Sequence, residues 1–403
     1  MTTHRLDVDA LLLDRDITIV VCCGSGGVGK TTTAASLGLR AADHGRRVCV
    51  LTIDPARRLA QSLGIGELDN TPRLIEGIGE GGGALFAMML DMKRTFDEIV
   101  LQHADAERAA QIFENPFYQS MSSSFAGTQE YMAMEKLGQL HAEALDTGDW
   151  DLVIVDTPPS RSALDFLDAP ARLGSFLDGR LIRILLAPAR AGGKAYMKVF
   201  GGAFTVVTSA LTKVLGAQLL GDVQTLVAGL DSVFGGFRER ADRTYALLKD
   251  PATSFVVVAA PEPDALREAS YFVERLQQDG MPLAGLVLNR VHTTEADDVS
   301  AARAEGAAEE LDEHGGHELT SALLRLHADT MRLREREQRL LTRFTGAHPD
   351  VPVTLVPALA GDVHDAEGLT AMGEALAAPT ESAGGPADEP ADEPADEQVS
   401  RQR

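Results

Sequence analysis

Residues 17–31 read ITIVVCCGSGGVGKT, and this stretch decides the fold class. Its first seven residues form an apolar run rich in Val and Ile. The octapeptide GSGGVGKT at residues 24–31 fits the pattern GxxxxGK[ST] in full. An Ala- and Leu-rich segment follows as far as Asp43. This order predicts a buried strand, a phosphate-binding loop and a helix, which together open an α/β fold.

The chemistry of this loop follows from its residue types. Glycines let successive backbone N–H groups turn inward around phosphate oxygens, and the following helix directs its positive end at the same place. Lys30 adds a positive charge at the β and γ phosphates, so it is a predicted catalytic residue, and the Thr31 hydroxyl is a predicted Mg²⁺ ligand. The loop residues predicted to bind nucleotide are Gly24, Ser25, Gly26, Gly27, Val28, Gly29, Lys30, Thr31 and Thr32.

Further apolar runs are continuous rather than alternating, which is typical of strands covered on both faces. They lie at residues 48–53, 152–155, 255–260, 283–288 and 353–356. Helical patterns separate them, for example at residues 131–144 and 265–278. Strands that alternate with helices predict a mostly parallel sheet flanked by helices, the fold of a P-loop NTPase.

Two stretches interrupt this alternation. Residues 93–125 and 173–249 have helical patterning but no convincing strand, so we expect helical insertions that form a subdomain. Residues 1–377 are expected to make one ATPase domain. The last segment, residues 378–403, repeats PADE three times, has no aromatic residue and is expected to be a disordered acidic tail.

Composition narrows the possible partners. The formal charge of −23 disfavours nucleic acid and anionic membrane surfaces. No run of 18 apolar residues and no secretory signal pattern is found, so we expect a cytoplasmic protein without stable membrane insertion. The three cysteines, Cys22, Cys23 and Cys49, lie inside predicted strands, which indicates core packing rather than metal or redox chemistry.

Two aspartates follow other predicted strands. Asp156 ends the run DLVIVD, and a carboxylate beside the phosphate loop is a predicted Mg²⁺ ligand. Asp54 follows the run at residues 48–53. Because ligands bind at the carboxyl ends of strands in open α/β sheets, Asp54 is a candidate to orient the attacking water and accept its proton.

These motifs, in this order, resemble the ArsA-like ATPases of the deviant P-loop (SIMIBI) class. The resemblance runs from about Ile17 to Leu376. Asp54-Pro55-Ala56 is similar to the family's first switch, and Asp156-Thr157-Pro158-Pro159-Ser160 is similar to its second switch. Asn289 matches the position that reads adenine, and the segment from Pro357 to Leu359 resembles the adenine-flanking loop.

The resemblance implies Mg²⁺-dependent ATP hydrolysis at a two-fold dimer interface, with Asp54 activating water. It also implies a helical subdomain that changes shape with the nucleotide and acts on an anion or a protein client. Within this family, the branch that targets tail-anchored proteins binds apolar membrane-protein clients, so the resemblance implies that this chain could have a client of that kind. The partner subunit is a second copy or a related ATPase.

The loop departs from the family at Ser25, where a lysine is usual. That lysine reaches the partner's phosphates, so hydrolysis is expected to be slow unless another cation takes its place. Arg57, Arg58 and Arg161 are the candidates. Three readings therefore stand: an ArsA-like switch, a MinD/ParA-like positioning ATPase, and a catalytically weak nucleotide-binding regulatory subunit.

Overall fold

A computed structural model describes residues 4–54, 58–79, 81–116, 118–119, 122, 128–158, 239–359 and 361–378. Eight strands form one sheet in the order β3-β4-β2-β5-β1-β6-β7-β8. Every neighbouring pair is parallel except β3 with β4, which is antiparallel. The predicted α/β fold with a mostly parallel sheet is confirmed.

The strands place the predicted site residues at the carboxyl ends of three neighbouring strands, β2, β5 and β1. Gly24 ends β1, Asp156 ends β5, and Asp54 lies two residues beyond β2. The strand bounds are β1 Ile19–Gly24, β2 Arg47–Thr52, β3 Arg73–Leu74, β4 Ala84–Met89, β5 Leu152–Asp156, β6 Thr253–Ala259, β7 Leu283–Val291 and β8 Val353–Pro357.

Helices cover both faces of this sheet. Their bounds are α1 Val8–Leu13, α2 Lys30–Asp43, α3 Arg58–Ser62, α4 Met92–His103, α5 Ala106–Glu114, α6 Thr128–Thr147, α7 Pro263–Asp279, α8 Ala301–His314, α9 Glu318–Ala347 and α10 Ala366–Ala377. Residues 239–249 are helical as well. Within the ranges described, no helix combines the length and the apolar character that crossing a bilayer requires.

The core lies on the two faces of the sheet. Along β1, Ile19 and Val21 pack into the cluster that includes α4, α6 and α7, while Val20 and Cys22 pack into the cluster that includes α2 and α10. Both faces of the central strands are therefore buried, which explains why these strands read as continuous apolar runs. All three cysteines are buried and free, as the sequence predicted.

Sequence reasoning missed two strands. β4 has the sequence ALFAMM, which is poor in β-branched residues, so it carried no strand signal. Its partner β3 is only two residues long and exposed. Pairing with β2 on one side holds β4 in the sheet, and this contact is not visible in the local sequence.

The expected helical insertions can be compared only in part. The first contains α4 and α5, which agrees with its helical patterning. Of the second, residues 173–238 lie outside the described residues, as does the tail from residue 379 onward. The predicted domain limits therefore stay predictions.

Helices α8 and α9 form an antiparallel hairpin between β7 and β8. Small residues, Ala301, Ala304 and Ala328, meet at its centre. Three ion pairs link the hairpin's outer surface: Arg325–Asp312, Arg332–Glu305 and Arg334–Asp297.

Candidate nucleotide site

The phosphate-binding loop connects β1 to α2, as predicted. Gly29 is the N-cap of α2, has φ of 94° and supplies no side chain to the first turn of the helix. A Cβ on Gly29 would lie 2.3 Å from Asn289 Nδ2, and a Cβ on Gly24 would lie 2.1 Å from the Val258 carbonyl oxygen. Close packing therefore requires glycine at both positions, and the N–H groups at the start of α2 stay available to an anion.

Lys30 lies within this loop and is buried. Its Nζ donates to the backbone carbonyl of Ser25 at 2.7 Å. Burial lowers the pKa of the Lys30 ammonium, while the charges of Asp156 and Asp54 act in the opposite direction. The Lys30 side chain thus folds back onto the phosphate loop, and the carboxylates of Asp156 and Asp54 lie near its charge.

Asp156 is fully buried at the end of β5. Its Oδ2 accepts two hydrogen bonds, from Thr31 Oγ1 at 2.7 Å and from Thr52 Oγ1 at 2.8 Å. Its Oδ1 is buried and has no hydrogen-bond partner among the described residues. Burial raises the pKa of this carboxyl to about 6, against the opposing effect of the two hydroxyl groups and Lys30.

The donor set around Asp156 fits a magnesium ion. Within the described residues, no group of three or more His, Cys, Asp or Glu side chains could hold a metal alone. Magnesium in nucleotide sites takes one or two protein ligands and completes its shell with phosphate oxygens and water. A hydroxyl beside a buried carboxylate with one unpaired oxygen meets that requirement.

Asp54 lies next to Ile53, whose backbone is fixed from two sides. Ile53 N–H donates to the Asp156 carbonyl oxygen at 3.0 Å, and Gln129 Nε2 donates to the Ile53 carbonyl oxygen at 2.8 Å. Sequence reasoning did not single out Gln129, because its role depends on where α6 begins relative to β2. The first turn of α6 therefore helps to fix the position of Asp54 beyond the carboxyl end of β2.

One cleft of about 1120 Å³ borders the phosphate loop and Asp54, while Asp156 lies beneath Thr31 and does not line it. At one end it is lined by loop residues, by Asp54 and by Arg58 of α3. It extends to the ends of β7 and β8, where Asn289, Pro357 and Leu359 line it. The side chain of Asn289 donates from Nδ2 to the Val28 carbonyl oxygen at 2.9 Å, which ties β7 to the loop.

The structure brings most predicted site residues to this cleft. Those lining it are Gly26, Gly27, Gly29, Lys30, Thr31, Thr32, Asp54, Asn289, Pro357 and Leu359. Ser25 and Val28 line an adjacent cavity of about 240 Å³ on the other side of the loop, with Glu262, Asp264 and Glu268. Of the three candidate cations, Arg58 is in the cleft, while Arg57 and Arg161 lie outside the described residues.

A glycine-rich loop between β1 and a helix, with a buried carboxylate at the end of the adjacent parallel strand, defines a P-loop nucleotide-binding protein. The model of one P-loop family, described as "Anion-transporting ATPase", matches residues 17–313. The chain therefore belongs to the ArsA family of ATPases, and it is an ATP-hydrolysing enzyme that binds nucleotide.

Curated relatives agree with this family. "ATPase ARSA2" of Chlamydomonas reinhardtii is 26% identical over 361 residues, covering 88% of this chain and 83% of the relative. "ATPase asna-1" of Caenorhabditis elegans is 26% identical, covering 66% of this chain and 72% of the relative. "ATPase GET3" of Malassezia globosa is 25% identical, covering 70% and 75%. The resemblance stated from the motifs is confirmed.

Proposed function

We propose that this ATPase hydrolyses Mg-ATP in the cleft with Lys30, Thr31, Asp54 and Asp156 as its working residues. The observation that carries the proposal is the buried contact of Thr31 Oγ1 with Asp156 Oδ2 at 2.7 Å, at the start of α2. It joins a hydroxyl of the phosphate loop to the fully buried carboxylate at the end of β5. The unpaired Asp156 Oδ1 supports the same assignment.

In this proposal, the backbone N–H groups of the loop and the Lys30 ammonium hold the phosphates. Thr31 and Asp156 would hold Mg²⁺, and the ion would neutralise negative charge on the phosphate oxygens. Asp54 orients the attacking water and accepts its proton as the water oxygen bonds to the γ-phosphorus, while the bond from that phosphorus to the β–γ bridging oxygen breaks and ADP leaves. Gln129 supports this role, because it fixes the backbone immediately before Asp54.

Of the three candidate cations, Arg58 is the one within the described residues, and we propose that it takes the place of the lysine usual at position 25. It is the first residue of α3, it lines the cleft with Asp54, and its charge is close enough to lower the pKa of Lys30 further. A cation that meets transition-state charge is worth about 10²–10³ in rate. Arg58→Ala is therefore expected to slow turnover by that order, whereas Arg73→Ala, outside the cleft, leaves it unchanged.

The first experiment compares ATP turnover and ATP binding in four proteins. Asp54→Asn should bind Mg-ATP with nearly parental affinity but hydrolyse it about 10²–10⁴ times more slowly. Lys30→Ala should lose binding. Asp16→Asn, an exposed carboxylate outside the cleft, is the matched control. Parental turnover by Asp54→Asn would remove Asp54 from the mechanism.

We further propose that the chain is a dimeric switch acting on an anion or an apolar protein client. This part rests on the family and on the long uncharged run at residues 199–212. Light scattering should show Asp54→Asn doubling in mass when Mg-ATP is added, and Lys30→Ala remaining unchanged. A mass that does not respond to nucleotide in either variant contradicts the switch.

The client class has its own test. A labelled peptide with a 20-residue apolar segment should bind the ATP-loaded Asp54→Asn protein and not Lys30→Ala. A polar peptide of the same length is the control. Equal binding of the apolar peptide by both variants would argue against nucleotide-controlled client capture.

A further inference from the structure

His292 and Glu337 form a contact that the catalytic proposal does not use. His292 follows the end of β7 and lines the cleft, with its side chain 43% exposed. Glu337 belongs to α9 and its side chain is only 5% exposed. The two residues are 45 positions apart in the chain, so the contact joins the α8–α9 hairpin to the nucleotide site.

Both carboxylate oxygens of Glu337 bind the same histidine. Oε1 is 2.7 Å from His292 Nδ1, and Oε2 accepts from the His292 backbone N–H at 3.0 Å. Since a carboxylate only accepts hydrogen bonds, Nδ1 must carry the hydrogen. Glu337 thus fixes the tautomer and the orientation of the ring, and Nε2 is the ring nitrogen left for another partner.

The local backbone also turns His292 away from a regular strand position. The register of β7 with β8 shifts between Leu288 and Val291, and Arg290 has φ of 63°. Such irregularities re-aim the side chains that follow them. His292 lines the cleft and Glu337 does not. Of this pair, the group available to a ligand in the cleft is therefore the part of the His292 ring that carries Nε2.

The position of His292 in the cleft indicates which part of a bound nucleotide it contacts. The triphosphate belongs at the loop that follows β1, and the cleft extends from there past β6 to the ends of β7 and β8. The nucleoside must lie in that direction. We propose that His292 Nε2 hydrogen-bonds the nucleoside of the bound nucleotide and that Glu337 is its positioning residue. This inference rests on the proposal that ATP occupies the cleft.

Calorimetry on the full chain can separate a nucleoside contact from a phosphate contact. The probes are Mg-ADP, which carries the nucleoside, and magnesium pyrophosphate, which does not. His292→Asn keeps an amide donor at the place of Nδ1, facing Glu337, but removes Nε2. It should raise the Kd for Mg-ADP about 3- to 10-fold, the effect of one lost hydrogen bond, and leave the Kd for pyrophosphate unchanged.

Glu337→Gln tests the positioning role. Glutamine keeps one acceptor where Glu337 uses two, so the ring loses part of its support and the Mg-ADP Kd should rise by a smaller factor. Glu335→Gln, on the exposed side of α9, is the matched control and should bind both probes like the parent. A second probe, 2′-deoxy-ADP, separates a contact to the ribose 2′-hydroxyl from a contact to the base. If His292 contacts the 2′-hydroxyl, His292→Asn should not weaken the binding of 2′-deoxy-ADP. If His292 contacts the base, His292→Asn should weaken the binding of both ligands.

Each outcome is decisive. Equal weakening of ADP and pyrophosphate binding by His292→Asn would mean that the residue only supports the fold, and unchanged ADP binding would remove it from the site. Parental ADP binding by Glu337→Gln would overturn the positioning role alone. A parent protein that binds neither probe would instead defeat the proposed location of the nucleotide.

Discussion

At the level of single residues, the metal-binding role proposed for Asp156 opposes the stability of the fold. A buried carboxylate with one unpaired oxygen is costly because ionisation must take place without water. The hydroxyl groups of Thr31 and Thr52 offset only part of that cost, so the pKa stays raised at about 6. The site is therefore strained electrostatically until a cation reaches it.

This leads to a prediction for the metal-free protein. The folded pKa of Asp156 is about 6 and the ordinary value is 3.8, so the folded state holds the proton more tightly than the unfolded state. The contribution of Asp156 to the free energy of unfolding therefore falls as pH rises from about 4 to about 6. Above that range, ionisation of Asp156 lowers the free energy of unfolding by about 3 kcal/mol. Asp156→Asn should therefore raise the free energy of unfolding at pH 7.5, and less so at pH 5.

Urea unfolding in the presence of a chelator measures this effect. The same substitution should abolish ATP turnover, which would show stability and activity moving in opposite directions. Asp16→Asn, whose carboxylate is exposed, should change neither quantity. A less stable Asp156→Asn protein at pH 7.5 would contradict the account of this carboxylate.

At the scale of elements, Arg46 holds the start of the chain to the sheet. Its side chain is fully buried, and all five of its N–H donors are used. Its acceptors are the carbonyl oxygens of Leu12, Asp14 and Ile17, the carbonyl of Asp151, and the Asp151 carboxylate. One guanidinium therefore joins α1, the entry to β1, the entry to β2 and the entry to β5.

Removal of this guanidinium should destabilise the fold strongly. Arg46→Met would remove five hydrogen bonds, and only two of their acceptors, the Asp14 carbonyl and the Asp151 carboxylate, keep another donor among the described residues, so the cost should be about 3–5 kcal/mol. Arg15 also pairs with Asp151, but its side chain is 59% exposed, so Arg15→Met should cost less than about 1 kcal/mol. Equal midpoints for the two variants in urea would show that the buried network contributes no more than the exposed pair.

For the molecule as a whole, the cleft proposed to hold the nucleotide joins distant parts of the sheet. Loop residues after β1 meet Asp54 after β2 and Asn289 in β7, and the segment after β8 closes the far end. A ligand that contacts all of these groups binds only the folded chain. Its binding free energy therefore adds to the stability of the domain.

Thermal unfolding should report this coupling. At 100 times its Kd, a nucleotide adds about 2.7 kcal/mol, which raises Tm by several degrees. Asp54→Asn should show the full shift with Mg-ATP because it binds without rapid turnover, and Lys30→Ala should show almost none. An equal shift in both proteins would mean that the nucleotide is held elsewhere.

Much of this molecule could be predicted from local patterns. Residues 17–31 specify a strand, a phosphate loop and a helix because the apolar run, the glycines and Lys30-Thr31 have meaning at fixed spacing. The six apolar runs identified six of the eight strands, since strands buried on both faces carry continuous hydrophobicity. The positions of Asp54 and Asp156 at the carboxyl ends of their strands also follow from chain order.

The remaining features depend on contacts between residues that are far apart in the chain. Asp156 meets Thr52 across 104 positions, Gln129 reaches Ile53 across 76, and Glu337 reaches His292 across 45. None of these pairs has a fixed spacing that a motif could record. Local sequence determines which group each strand end offers, whereas sheet order and helix packing determine which groups meet and how each is hydrogen-bonded.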